Sequence, residues 1–236
     1  MKKIAILQSN YIPWKGYFDL IASVDEFIIY DEMQYTKNDW RNRNKIKTAK
    51  GVEWITIPVR VESLSQRICD TQIFDKKWVK KHIAKLQTNY AKAACFNESK
   101  DFIFGLYEAA SKKEKLSDVN YIFIKGICDF LNINTKISFS TDYSLGIGKS
   151  ERLINLCQQA DALVYLSGPS AKDYIDETLF EENKIKLEWM DYSGYKTYDQ
   201  LNPPFEHGVS VLDLIFNTGA NAKKFLKVRL KTKISL

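Results

Sequence analysis

Asp31 directly follows the short β-branched and aromatic run Glu26–Tyr30. A carboxylate in that place can hydrogen-bond a sugar hydroxyl, hold a metal or remove a proton. It opens the densest polar and aromatic block of the chain, which runs from Asp31 to Lys45. Arg41 and Arg43 can each grip a phosphate through two N–H groups, whereas Lys37 offers a point charge. Tyr35 and Trp40 can stack on a ring, and Gln34, Asp39 and Asn42 add polar partners. The competing reading is a solvated loop with a helix cap. Two large rings are costly to leave idle in such a loop, so the block is taken as substrate-binding.

Three other stretches carry comparable chemistry. In Gln8-Ser9-Asn10-Tyr11-Ile12-Pro13-Trp14-Lys15-Gly16-Tyr17 a strand delivers amides and aromatics to the start of a helix, where free N–H groups attract anions. Gln8 and Asn10 can donate and accept, and Tyr11 can stack; an ordinary capped turn is the alternative. Gly146-Ile147-Gly148-Lys149-Ser150 resembles the end of a nucleotide phosphate loop. That motif requires a glycine where Tyr143 stands, so it is rejected. What survives is Lys149 near a bound anion, with Ser150 capping the following helix. Ser167-Gly168-Pro169-Ser170 leads to Asp173; no glycine lies two residues before Ser167, so a nucleophile elbow is excluded. Ser167, Gly168 and Asp173 are candidates for binding an anionic group.

His82 shares a helix face with Trp78 and Leu86. A lone helical histidine is more often a packing residue. It is still the best general base on offer, provided its helix folds over the site. The catalytic candidates are therefore Asp31 and His82. With two histidines in the chain, a multi-histidine zinc site is not expected. No metal is assigned, and no cofactor can be named.

The elements that must position these residues alternate. Apolar runs at Ile4–Leu7, Glu26–Tyr30, Lys136–Phe139, Leu163–Leu166 and Lys186–Met190 read as strands. Helical spacing marks Lys15–Val24, Gly148–Ala160, Tyr174–Asn183 and Val211–Asn217, the last ending at Gly219. Trp54–Val61 contains Pro58 and reads as an edge or antiparallel strand. Helical patterns fill Trp78 to Leu131. The fold expected is α/β: a Rossmann-like three-layer, mostly parallel sheet over residues 1–75 and 132–236, with a helical insertion at 76–131. Ligands gather beyond the carboxyl ends of such strands. Those loops are Gln8–Gly16, Asp31–Lys47, Thr141–Glu151 and Ser167–Asp173, where the polar candidates fall.

A length of 236 residues allows a sizeable core without disulfides or metal. The four cysteines form no CxxC pair and sit among apolar neighbours, so buried, reduced thiols are expected. The first residues are too short an apolar run for a signal peptide or a membrane span, so a cytoplasmic location is expected. The net charge of +6 fits solvated lysines, an anionic small molecule or RNA. RNA ranks below the small molecule because no basic run or RNA-binding motif appears.

Taken together, QSNYIPWKGYFDLI, DEMQYTKNDWRNRNKIKT, KSERLINLC, YLSGPSAKDYID and VSVLDLIFNTG resemble the WbqC-like protein family, in that order, from Ile4 to Gly219. The resemblance implies a place in O-antigen and other surface-polysaccharide biosynthesis. In that setting the expected role is a transferase placing an acyl or aminoacyl group on a nucleotide-linked amino sugar. The alternatives are an adenylate-forming or nucleotidyl-transferring enzyme, weakened by the absence of histidine in Pro13–Tyr17, and a non-catalytic binding protein of the same pathway. Glu206-His207-Gly208 departs from the pattern, which puts a role for His207 in doubt.

Overall fold

Successive side chains of a strand point to opposite faces, so a strand rich in apolar residues throughout needs cover on both sides. The computed structural model describes residues 1–228; the last part of the expected sheet segment, 229–236, lies outside the described residues. In chain order the elements are β1 (Lys3–Leu7), α1 (Lys15–Ala22), β2 (Glu26–Ile29), the hairpin β3 (Arg43–Thr48) and β4 (Gly51–Thr56), and the short pair β5 (Val59–Arg60) and β6 (Gln72–Ile73). Helices α2 (Trp78–Tyr90), α3 (Phe96–Ser111) and α4 (Leu116–Phe130) follow. Then come β7 (Lys136–Phe139), α5 (Ser150–Gln159), β8 (Val164–Ser167), α6 (Glu177–Glu182), β9 (Lys186–Trp189) and α7 (Val211–Thr218).

Five strands form one parallel sheet in the order β7-β2-β1-β8-β9. Ala5, Phe27, Ile29 and Leu166 fill one face, beneath Phe18 and Leu20 of α1, Phe123 and Ile127 of α4, and Leu212 and Phe216 of α7. Ile4, Ile6, Ile28 and Tyr165 fill the other, beneath Leu153, Leu156 and Cys157 of α5 and Phe180 of α6. This is the three-layer α/β arrangement expected from the alternating pattern. The helices of residues 76–131 do not stand apart: Leu86, Ile103, Tyr107 and Phe123 belong to the same buried cluster as the first face of the sheet.

Two expectations need correction. Arg43–Thr48 is a strand, although its polar residues read as loop. It pairs antiparallel with β4, and its inward positions are Asn44, Ile46 and Thr48, all buried. A buried Asn hides the alternation, but its amide is used: Asn44 Nδ2 donates to the carbonyls of Tyr11 and Ile12, both at 3.0 Å. The thiols differ too. All four are free, but Cys69 and Cys95 are only half-buried.

Beyond β9, residues 190–209 carry no helix or strand, and side chains hold them instead. Lys15 Nζ donates to the Lys196 carbonyl at 3.0 Å, and Lys47 Nζ to the Pro204 carbonyl at 2.5 Å. Buried Asp213 accepts from Tyr198 (2.6 Å), Gln200 (2.7 Å) and Tyr90 (2.9 Å). Burial pushes the Lys15 ammonium down to about 8, against the pull of Asp19 and Asp213.

At the opposite end of the sheet from the β1–α1 turn, Glu26 opens β2 with no exposed surface. Burial acts to raise its pKa. Contacts from Lys2 (2.7 Å), Ser138 (2.6 Å), Tyr143 (2.6 Å) and Lys136 (2.9 Å) outweigh that and hold the carboxyl down at about 2. A carboxyl depressed on folding adds stability that is present above its ordinary value of 4.5 and is lost as pH falls toward about 2. Denaturant midpoints measured across that range should fall for the wild type and fall less steeply for Glu26→Gln. Parallel pH profiles would refute the assignment.

Candidate functional site

Strand order reverses direction beside β1: the chain builds outward through β2 and β7, then crosses back to lay down β8 and β9. The connections leaving β1 and β8 therefore run to opposite faces and leave a crevice between them. A cavity of about 400 Å³ lies there, a size suited to a small ligand. Ile6, Leu7 and Gln8 reach it from β1, Tyr30 and Met33 from beyond β2, and Tyr165 from β8. Gly148, Lys149, Arg152 and Leu153 reach it from the start of α5, and Tyr174 from the loop after β8.

Two cations and three phenols thus converge at the amino end of a ten-residue helix. Exposed N–H groups there add positive potential to that of Lys149 and Arg152. Arg152 is aimed by its Nε–H, which donates to the Gly146 carbonyl at 2.9 Å. Burial raises the Tyr30 phenol, and the neighbouring Arg152 guanidinium partly counters it. Burial also raises Tyr174, and the charge of Arg41 partly counters it. Ser150 does not act as the expected cap. Its Oγ accepts the Asp176 N–H at 3.0 Å and ties the loop before α6 to α5.

Asp31 lies next to the cavity wall rather than in it. Its Oδ1 accepts the Ser9 N–H at 2.8 Å, and its Oδ2 accepts the Ser9 hydroxyl at 2.6 Å and the Ser117 hydroxyl. Asn120 Nδ2 reaches Ser9 Oγ and the Arg41 carbonyl, both at 2.9 Å. Arg41 Nη1 donates to Asn10 Oδ1 at 2.5 Å. One connected network thus binds Ser9, Asn10, Asp31, Arg41 and α4. Burial raises the Asp31 carboxyl, and its hydrogen bonds and Arg41 pull against that.

Of the residues singled out from sequence, Gln8 and Lys149 line the cavity. Asn10 and Arg41 do not line it, but their hydrogen bond holds them together in the turn after β1. Ser167 and Gly168 end β8, and the Ile4–Tyr165 register sets Gly168 level with Leu7. Asp173 is exposed in the loop just before Tyr174. Gln34 and Tyr35 turn away to the loop at 64–67, through Gln34 Nε2 to the Leu64 carbonyl and Tyr35 N–H to the Gln66 carbonyl. Asn42 is buried and exchanges hydrogen bonds with Ile57. Trp40 and Arg43 lie against Trp54 on the hairpin, Lys37 is exposed, and Asp39 pairs with Arg41 at 3.6 Å. Sequence reasoning missed Tyr30, Met33, Arg152, Tyr165 and Tyr174. The signal for Arg152 was its place one helical turn beyond Lys149; the tyrosines read as ordinary strand and helix residues.

His82 and Tyr11 meet in the core beneath Trp78. The Thr56 carbonyl, 3.1 Å from Nε2, can only accept, so Nε2 carries the proton. Nδ1 then accepts a hydrogen bond from the Tyr11 hydroxyl at 2.8 Å, and the Tyr107 hydroxyl lies 2.9 Å from that of Tyr11. Burial lowers the imidazole to about 4. A base depressed on folding adds stability that is complete above its ordinary value of 6.5 and is lost as pH falls through about 4. His82 ring-proton resonances should show no titration between about pH 5.5 and 8. A midpoint near 6.5 would mean that the ring is open to water.

Among the described residues no cluster of His, Cys, Asp or Glu could hold a metal ion, and no helix is long and apolar enough to cross a membrane. No solved structure matches the chain. The uncharacterized protein Rv1507c of Mycobacterium tuberculosis is 53% identical over 228 residues, covering 96% of this chain and 98% of that protein. The pattern of the WbqC-like protein family matches residues 8–225, which take in the cavity wall from Gln8 to Tyr174, the buried Asp31 network and the hairpin. The chain is a member of the WbqC-like protein family.

Proposed function

We propose that the cavity holds a nucleotide-linked sugar and that the protein is a transferase of surface-polysaccharide assembly, the setting its family implies. The observation that carries this is the convergence of Lys149, Arg152 and the start of α5 with Tyr30, Tyr165 and Tyr174. Cations and helix N–H groups suit a diphosphate, and phenol rings suit a base or a sugar ring. Gln8 and Asn10 offer amides to sugar hydroxyls, and Arg41 adds charge beside Asn10. Asp31 and His82 are positioning groups in this reading. Asp31 fixes the turn that presents Gln8 and Asn10, and His82 supports Tyr11 from below.

Thermal unfolding with UDP- and dTDP-linked amino sugars, the free sugars and ATP tests the reading. A ligand at about 100 times its Kd adds about 2.7 kcal/mol, or roughly 5–10 °C in a chain of this size. The nucleotide-linked sugars should give that shift and the free sugars none. Lys149→Ala and Arg152→Ala should each weaken binding about tenfold or more, since a hydrogen bond to a charged group is worth about 1.5–3 kcal/mol. A shift with ATP alone would favour a nucleotidyl-transferring enzyme, and no shift with any ligand would remove the proposal.

A further inference from the structure

The β3–β4 hairpin lies outside the central sheet and turns one of its faces outward. Strand alternation puts Val52 and Trp54 on that face of β4, at 40% and 38% exposure. Opposite them on β3, Lys45 pairs with Trp54 and Arg43 with Thr56. Trp40, also 38% exposed, leans on Trp54 at 5.1 Å. The Arg43 guanidinium lies 4.1 Å over Trp54, and Lys45 Nζ stands 5.2 Å and 5.7 Å from the two indoles. Lys37 and Lys50 are exposed on the adjoining turns.

The acidic residues nearby are already engaged: Glu53 with Lys85 at 2.8 Å, and Asp39 with Arg41. Among the described residues Lys37, Arg43, Lys45 and Lys50 make no ion pair within 4.0 Å. The patch therefore presents two half-exposed indoles and a valine with Arg43 and Lys45 against the rings and Lys37 and Lys50 exposed on the adjoining turns.

We propose that this hairpin face docks on an anionic lipid surface. Indoles favour the headgroup level, where an apolar body and a polar N–H are both satisfied. Lysine and arginine beside them are drawn to the negative lipid surface. A single-stranded nucleic acid fits the same charge less well, because base stacking needs a free ring face. Trp54 has Arg43 over its ring and Trp40 against it. The inference is independent of what the cavity binds. The Tyr11 N–H donates to the Trp40 carbonyl at 3.0 Å, which ties the segment leading into the hairpin to the turn after β1.

Flotation of the full chain with vesicles tests this. Phosphatidylcholine with about 30% phosphatidylglycerol should bind the protein at low salt, lose it about tenfold or more at about 0.5 M salt, and outbind phosphatidylcholine alone. Lys45→Glu with Lys50→Glu should weaken binding about tenfold with an unchanged melting temperature. Trp54→Ala should weaken it while leaving the salt dependence. Lipids brominated near the headgroup should quench the tryptophan emission of the wild type more than that of Trp54→Ala. Equal binding to neutral vesicles, an unaffected charge-reversed variant, or tighter binding to an oligonucleotide than to anionic vesicles would overturn the proposal.

Discussion

A carboxyl group shut away from water must have its oxygens met by donors. Asp31 meets that demand with the backbone and hydroxyl of Ser9 and the hydroxyl of Ser117. Acceptor and donors come from different parts of the chain: Asp31 lies two residues beyond β2, Ser9 two beyond β1, and Ser117 in the first turn of α4. Asn120, one helical turn further on, extends the net to the Arg41 carbonyl. The two central strands, the helix above them and the polar segment after β2 are thereby fixed at one point. Gln8 and Asn10 project where they do because Ser9 between them cannot move. Lone removal of the carboxylate would leave several buried donors unpaired, which costs more than the net worth of the bonds themselves.

The same logic recurs under the irregular segment after β9. Asp213 is wrapped by Tyr90, Tyr198 and Gln200, and Lys15 and Lys47 each give their ammonium to a backbone carbonyl. A stretch with no ladder of its own is thus held in place by side chains from α1, β3 and α7. Aromatic rings close around the Lys15 ammonium: Tyr195 at 5.1 Å, Tyr198 at 5.3 Å and Phe205 at 5.7 Å. This offsets part of the cost of burying a charge.

The sheet was legible because parallel strands covered on both faces must be apolar at nearly every position, and Ile4–Leu7, Glu26–Ile29 and Val164–Ser167 stand out on that ground. Strand β3 was not, because Asn44 does an apolar residue's job by hydrogen bonding. Two of the loops singled out as ligand sites, those after β1 and before α5, border the cavity, yet only Gln8 and Lys149 of the chosen residues reach it. Within a loop, residue type did not tell which side chains line the cavity. Tyr35 and Trp40 drew notice as rings in a polar block, while Tyr30 and Tyr165, on or next to strands that looked merely structural, face the open space. Tyr11 and His82 show the converse: polar atoms that suggest chemistry satisfy each other in the core. Which of two such fates applies depends on the packing of helices 70 or more residues away.

The central position of β1 also bears on how the chain is made. Its partner on one side, β2, emerges from the ribosome almost at once, but β8 begins at Val164. At usual rates of synthesis, about 5–20 residues per second, that edge stays open for roughly 10–30 s. An unpaired strand whose last four residues are all apolar is an invitation to another nascent chain. The helices made in the interval can shield the first face of the strand but cannot occupy its edge, which closes only when β8 appears.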